Sequence, residues 1–314
     1  METLDIITSA FNEEECLPEL FQRIKGVMAS ETSYTWRLLV MDNGSIDKTW
    51  EIIQVASWED SRIRGFRMSR NFSLDAAFTC GLDNATADIA IIMTSDLQDP
   101  PEAIPLLLRK YEEGFDQILV KITKRDSVPL VRGILSKAFY SIAKKMTAGM
   151  LPESVSDFRL VNRRTYEAIR RLRESHRFLR GLGAWVGFKT TNIEMERPPR
   201  FAGESKWMGM STFGITTQAI RSIFAYSSTP LTWISSLGIF LSIGSIMAIV
   251  GLAIFWLVSG VPFPGFGSII GVIVLGFSIT MLCIGILAQY LGLIYEEVKN
   301  RPLYLVTEES KPNL

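Results

Sequence analysis

The stretch Ile89-Ala90-Ile91-Ile92-Met93-Thr94-Ser95-Asp96-Leu97-Gln98-Asp99-Pro100-Pro101 decides the fold. Its apolar start reads as a strand buried on both faces, and the paired prolines forbid its continuation. The acidic and amide side chains that follow therefore sit where a buried strand ends, the place where open α/β sheets bind ligands. Carboxylate and amide oxygens together suit a hard divalent cation that also holds phosphates. Asp99 followed by Pro100 also reads as the N-cap and first residue of a helix. That role for Asp99 leaves Asp96 and Gln98 for other work.

Upstream, Leu4 to Thr8, Trp36 to Met41 and Ile63 to Met68 have the same strand character. Between them lie helical patterns such as Leu17, Leu20, Phe21 and Ile24, and a further one from Ala76 to Leu82. Alternation of this kind predicts an α/β domain with a mostly parallel sheet and helices on both faces. Acidic and amide clusters recur at the expected strand ends: Asn12-Glu13, Asp42-Asn43-Gly44-Ser45-Ile46-Asp47, the opening cluster, and Ser156-Asp157-Phe158-Arg159-Leu160. A helix cap, a glycine turn or a surface ion pair explains any one of them. Their shared placement points to a common site.

The chain has 314 residues and balanced charge, 33 basic against 33 acidic, but the charges are unevenly spread. None lies between Arg221 and Glu296, and this gap holds two apolar runs, Leu231 to Val258 and Ser268 to Tyr295. Each exceeds the roughly 20 residues that cross a bilayer core as a helix. The Gly- and Pro-broken link from Ser259 to Gly267 predicts a tight hairpin. Bases at Arg221, Lys299 and Arg301 flank its outer ends, which places both termini and the N-terminal domain on the cytoplasmic side of the membrane. The acidic start Met1-Glu2-Thr3-Leu4-Asp5 is unlike a signal peptide. Cys16, Cys80 and Cys283 lack metal-type spacing. Lys121 to Lys145 is basic and amphipathic, as expected of contact with an anionic lipid surface, and nothing in the pattern points to nucleic acid.

Several motifs together resemble a known family. They are Phe11-Asn12-Glu13-Glu14, Asp42 to Asp47, Ser69-Arg70-Asn71-Phe72, Asp96 to Pro101, Asp157-Phe158-Arg159-Leu160, Arg177-Phe178-Leu179-Arg180-Gly181 and Gly203-Glu204-Ser205-Lys206-Trp207. In this order they are similar to the polyprenyl-phosphate glycosyltransferases, inverting enzymes of glycosyltransferase family 2. The resemblance implies a GT-A-type, Rossmann-like nucleotide-sugar domain over residues 1–205 and a juxtamembrane segment over 206–229. Two transmembrane helices over 230–296 and a cytoplasmic tail over 297–314 complete the expected organisation. It implies transfer of a hexose, UDP-glucose being the favoured donor, to polyprenyl phosphate. Mg or Mn is the implied cation, the bilayer an implied partner, and a homo-oligomer is compatible.

Carried over by position, Phe11, Asn12, Glu13, Asp42, Asn71 and Ser95 would bind the nucleotide sugar. Asp96 and Gln98 would hold the metal, and Asp157 matches the acid proposed as catalytic. Arg159, Arg200, Ser205 and Lys206 would meet the lipid phosphate or the diphosphate. Three departures stand out. Thr94 replaces the first acid of Asp-x-Asp, Asn43 replaces the second acid of Asp-Asp-Gly-Ser, and Ser156 replaces a glycine. The same reaction with formamido-arabinose, N-acetylglucosamine or mannose stays open. So does a degenerate protein that binds nucleotide or lipid as an accessory, which the missing acid at Thr94 favours.

Overall fold

The run that ends at Thr94 is the fourth strand of an eight-stranded sheet in the computed structural model, which describes residues 1–123, 155–175, 177–202, 229–259 and 266–310. In chain order the first strands and helices are β1 (Glu2–Ala10), α1 (Leu17–Ser30), β2 (Tyr34–Asp42), α2 (Thr49–Glu59), β3 (Ile63–Met68), α3 (Leu74–Asn84) and β4 (Ile89–Thr94). There follow α4 (Ile104–Glu112), β5 (Gln117–Ile122), β6 (Val155–Asn162), α5 (Arg163–Arg171), α6 (Leu179–Trp185) and β7 (Thr190–Met195). The remaining elements are α7 (Thr229–Ser259), α8 (Phe266–Val298) and β8 (Val306–Glu309).

The sheet runs β7-β5-β6-β4-β1-β2-β3-β8. Its centre, β4-β1-β2-β3, is parallel, so helices must cover both faces. That burial explains the near-continuous apolar runs: Ile6, Leu38, Leu39, Val40, Ile89 and Ile91 are all buried. Helix α1 buries Leu17, Leu20, Phe21, Ile24 and Met28, the spacing of one helical face. Helix α3 lies so close to β1 that a Cβ on Gly81 would meet Ile7 Cγ2 at 2.2 Å. The chain places β2 and β3 on one side of β1 and β4 on the other. This reversal opens a crevice beyond the carboxyl ends of β1 and β4.

Two elements differ from the sequence expectation. The fourth acidic cluster was expected at a strand end but lies at the start of β6, which runs antiparallel to β4 and reaches the same edge from the opposite direction. A sequence pattern fixes the strand but not its direction, and here the long connection from β5 reverses it. The C-terminal segment, expected as a tail, forms an edge strand. β8 pairs antiparallel with β3. Trp50 Nε1 donates to Glu308 at 3.1 Å, the Tyr304 hydroxyl donates to Asp83 at 2.9 Å, and Ser69 N–H donates to the Leu305 carbonyl at 3.0 Å. The buried Ser310 hydroxyl accepts from Gly65 N–H at 2.6 Å and donates to Ser57 Oγ at 2.8 Å.

The chain divides into two units, Met1–Ile215 with Arg301–Leu314, and Thr216–Asn300. The second contains α7 and α8, 31 and 33 residues long. Within α8, the 27-residue segment Val272–Val298 contains an 18-residue window of mean hydropathy 2.3 and is long and apolar enough to cross a membrane. The juxtamembrane segment up to residue 228, the hairpin link 260–265 and most of the basic segment after Lys121 lie outside the described residues.

Ser310→Ala leaves the Gly65 amide without its acceptor inside the protein, so the expected loss is about 1–3 kcal/mol. Denaturant titration of the full chain in detergent reads this directly. An unchanged midpoint would mean that the amide finds another acceptor and that the clasp is not held there.

Candidate active site

The loops after β1 and β2 are tied to each other through side chains. Asn12 adopts a left-handed backbone (φ 52°), donates its N–H to Ser45 Oγ at 2.9 Å and accepts from Ile46 N–H at 2.9 Å. Glu13 N–H donates to Thr49 Oγ1 at 2.8 Å. Gly44 has φ +77°, and a Cβ there would lie 2.5 Å from the Arg70 carbonyl carbon, so the turn admits only glycine. Asp42 is 0% exposed. Its Oδ1 accepts from Ser45 N–H at 2.9 Å, while Oδ2 faces Arg67 Nε at 3.6 Å without a hydrogen-bond partner. Burial pushes this carboxyl up, against the Ser45 hydrogen bonds and the Arg67 charge.

Asn43 explains its own departure from the family pattern. Its Oδ1 accepts from Phe72 N–H at 3.0 Å, which fixes the amide orientation. The amide nitrogen then donates to Asn71 Oδ1 at 3.2 Å and to the Ser73 carbonyl at 3.0 Å. A carboxylate accepts the first bond but cannot make the other two. Asn71 is thereby held at the edge, exposed, by a residue that has to be an amide.

At the end of β4, the Thr94 hydroxyl lies 2.8 Å from both Asp96 Oδ1 and Asp99 Oδ2. Asp99 is 0% exposed, and burial pushes its carboxyl up. Asp96 Oδ1 also accepts from Gln98 N–H at 3.3 Å, closing a turn around Leu97 in a left-handed conformation (φ 61°). Asp96 Oδ2 faces Arg200 Nη1 at 3.7 Å, and Arg200 Nη2 donates to Glu13 at 2.5 Å. Ser95 is buried, and its hydroxyl donates to the Ser9 carbonyl at 2.8 Å, bracing β4 against β1. Among the described residues no group of three or more acidic, His or Cys side chains is gathered as a metal site. One carboxylate, Asp96, with the Gln98 amide is still a fitting donor set for Mg or Mn, whose remaining ligands come from phosphates and water.

Asp157 faces the same edge from β6. Arg180 on α6 grips it with Nε and Nη2, each at 2.7 Å, and donates Nη1 to the Val155 carbonyl at 3.0 Å. Burial alone would push this carboxyl up. Arg180, with Arg159 and Arg197 behind it, holds it below the usual range. Arg159 itself is 2% exposed and spends its guanidinium on the carbonyls of Asp157, Ser156 and Leu179. This placement puts Arg159 in the scaffold beneath Asp157, not on a surface that meets a lipid phosphate.

The structure thus brings Asn12, Glu13, Asp42, Asn71, Asp96 and Asp157 to one sheet edge, with Arg200 across Glu13 and Asp96. Asn12, Glu13, Cys16, Asp47 and Ala202 line a cleft of about 200 Å³ there. Larger openings between α1 and α2 contain none of the strand-end carboxylates. Ser205 and Lys206 lie outside the described residues. Sequence reasoning assigned no role to Arg180, Arg197 or Asp75. Arg180 sat inside a recognised motif, and Asp75 was visible only as an acid in the first turn of the mostly apolar α3.

Residues 5–170 match the family described as Glycosyl transferase family 2. The chain is a family 2 glycosyltransferase. An uncharacterized glycosyltransferase of Synechocystis sp. is 34% identical to it, covering 97% of this chain and 95% of its own length. A bactoprenol glucosyl transferase of Shigella phage SfII is 32% identical, covering 99% of each. Glucosyl-3-phosphoglycerate synthase from Mycobacterium tuberculosis, solved with Mn2+, UDP and glucosyl-3-phosphoglycerate, superposes with a TM-score of 0.52. That match has 18% identity and covers 72% of this chain and 80% of the other. It establishes the GT-A-type fold for this glycosyltransferase.

In this glycosyltransferase, Asn43→Asp sets a carboxylate against Asn71 Oδ1 and the Ser73 carbonyl. The expected loss is about 1–3 kcal/mol of stability. Thermal denaturation measures it, and a wild-type midpoint would show that the amide has no directing role.

Proposed function

We propose that this glycosyltransferase moves a single hexose, glucose from UDP-glucose in the first instance, to a polyprenyl phosphate with inversion at the anomeric carbon. The observation that carries the reading is likeness over nearly the whole chain, apolar helices included, to relatives named for glucosyl transfer to bactoprenol. The sheet edge supplies groups that fit such a donor. Asp42 Oδ2, buried and without a hydrogen-bond donor, is suited to receive one from a nucleoside, next to Asn12 and Glu13. A divalent cation held by Asp96 and Gln98 would neutralise charge on the leaving diphosphate. Arg200 lies where it can exchange its Glu13 and Asp96 partners for phosphate oxygens.

In the reaction a phosphate oxygen of the acceptor bonds to the anomeric carbon as the bond to UDP breaks, and UDP leaves with the electron pair. The acceptor is already anionic near neutral pH, so little proton abstraction is needed. Asp157 suits this chemistry because Arg180 keeps it ionised and makes it a weak base. Its role in the proposal is to hold position and stabilise positive charge at the sugar, with Arg180 setting its geometry.

The fold also bears on the membrane. The chain leaves the first unit before Thr216 and rejoins it at Arg301, where β8 closes the same sheet. Both α7 and α8 lie between stretches of the chain that belong to the first unit, a connectivity that is compatible with an even number of crossings. In this proposal α7 crosses the bilayer together with α8, the one candidate span among the described residues, and the basic flanks favour a cytoplasmic catalytic unit.

The decisive test incubates the full chain with undecaprenyl phosphate, Mg or Mn and labelled UDP-glucose, with other nucleotide sugars in parallel arms. Labelled lipid is expected with UDP-glucose and is lost with a chelator. Labelling from another donor corrects the sugar. UDP binding without lipid product from any donor would leave the accessory reading standing. Thr94→Asp restores the second acid beside Asp96 and is expected to lower the cation concentration for half-maximal rate several-fold. The same concentration dependence as wild type would place residue 94 outside the cation's surroundings.

A further inference from the structure

Beneath the Arg180–Asp157 pair lies a second carboxylate that the reaction does not use directly. Asp75 is the second residue of α3, two residues after the Ser73 cap that accepts from Ala76 N–H at 3.1 Å. Its side chain turns away from its own helix, and Oδ1 accepts from Leu179 N–H at 2.9 Å, across more than a hundred residues of sequence. Leu179 begins the seven-residue α6, and the next residue is Arg180. The Leu179 carbonyl, on the same residue, accepts from Arg159 Nη1 at 3.3 Å. Asp75 and Arg159 thus fix the two sides of the residue from which Arg180 reaches Asp157. The charged groups facing Asp75 are Asp157 and Arg159 on β6 and Arg180 on α6.

We propose that Asp75 is a positioning residue for the Arg180–Asp157 pair. It anchors the start of α6 through the Leu179 amide and shares the charge of Arg159 and Arg180 with Asp157. Asp75 and Asp157 both face Arg159 and Arg180, and Asp157 faces Arg197 as well. The anchor is a short helix that cannot hold its own first turn by internal hydrogen bonds, so its position depends on a side chain supplied from α3. Burial and the neighbouring Asp157 charge push the Asp75 carboxyl up to about 6, opposed by the Leu179 N–H and the two arginines. The unfolded chain keeps the ordinary value of 3.8 and releases this proton first, so the contribution of Asp75 to stability falls as pH rises from about 4 to about 6.

Only the kinetic arm of the test rests on the transferase reading. Asp75→Asn keeps an oxygen for the Leu179 amide but removes the charge; Asp75→Ala removes both. In hydrogen-exchange mass spectrometry of the full chain in detergent, Asp75→Ala should speed exchange at the start of α6 by about 10-fold or more, and Asp75→Asn far less. Thermal denaturation should show Asp75→Asn gaining stability over wild type at pH 8 and gaining less at pH 5. In the transfer assay Asp75→Ala should lower kcat by about 10-fold or more, with KM for the nucleotide sugar within about 3-fold. Wild-type exchange at α6 in the Ala variant, or a pH dependence of Tm in the Asn variant that matches wild type, overturns the proposal. Should the Ala variant fail to fold, the pH dependence of the Asn variant still decides. If wild type transfers no sugar but the exchange and Tm arms come out as expected, the positioning role stands and the transferase reading falls.

Discussion

Desolvated carboxylates have to be compensated, and this constraint shapes the whole sheet edge. Asp157, Asp96, Asp99 and Asp42 sit where strands leave a core that water does not enter. An ionised acid there costs several kcal/mol unless a cation or a set of N–H groups meets it. Each acid has its own solution. Asp157 has the fork of Arg180, Asp96 has Arg200, Asp42 has Ser45 with Arg67 nearby. Asp99 has the Thr94 amide and the Ser156 hydroxyl, with Arg197 at 4.0 Å. Elements far apart in sequence are drawn to the edge by these pairs, α6 and the segment around Arg200 most clearly.

The central sheet was legible because burial on both faces leaves a strong mark. Ile89 to Met93 and Trp36 to Met41 carry hardly any polar residue, and such runs have few other readings. What escaped the sequence were elements whose identity depends on a partner. Val306-Thr307-Glu308-Glu309 is short, polar and half acidic, a poor strand by composition. It becomes one because β3 offers an open edge, Arg67 and Trp50 meet Glu308, and Gly65 N–H meets Ser310 just beyond the strand. The direction of β6 was hidden for a similar reason, since period and composition are identical in parallel and antiparallel strands.

At the candidate site the pattern of acids was visible and their partners were not. Asn12, Asp42, Asp96 and Asp157 stood out by residue type at strand ends, and all lie at one edge. Arg159 stood out as strongly, yet its charge is turned inward onto three backbone carbonyls. Nothing local separates an arginine that meets a ligand from one that braces a loop. Ser95 repeats the lesson on a smaller scale, with its hydroxyl spent on Ser9. Asn43 shows the reverse. It looked like a weakened acid, and the structure shows an amide whose two donated bonds no carboxylate could make.

Thr94 is open to the same reasoning. Its hydroxyl has one proton and two carboxylate oxygens at 2.8 Å, Asp96 Oδ1 and Asp99 Oδ2. Two ionised acids around a single hydroxyl leave one contact without a proton. The hydroxyl can donate to only one of the two at a time, and burial pushes the Asp99 carboxyl up. A third carboxylate at residue 94 would crowd this corner with negative charge and would need a bound cation to relieve it. In the proposed reaction threonine would leave the attraction for a divalent ion largely to Asp96 and the diphosphate of the donor. Under that proposal the departure at this position would shift the charge that holds a cation from the protein toward the substrate, while the turn that presents Asp96 and Gln98 is kept.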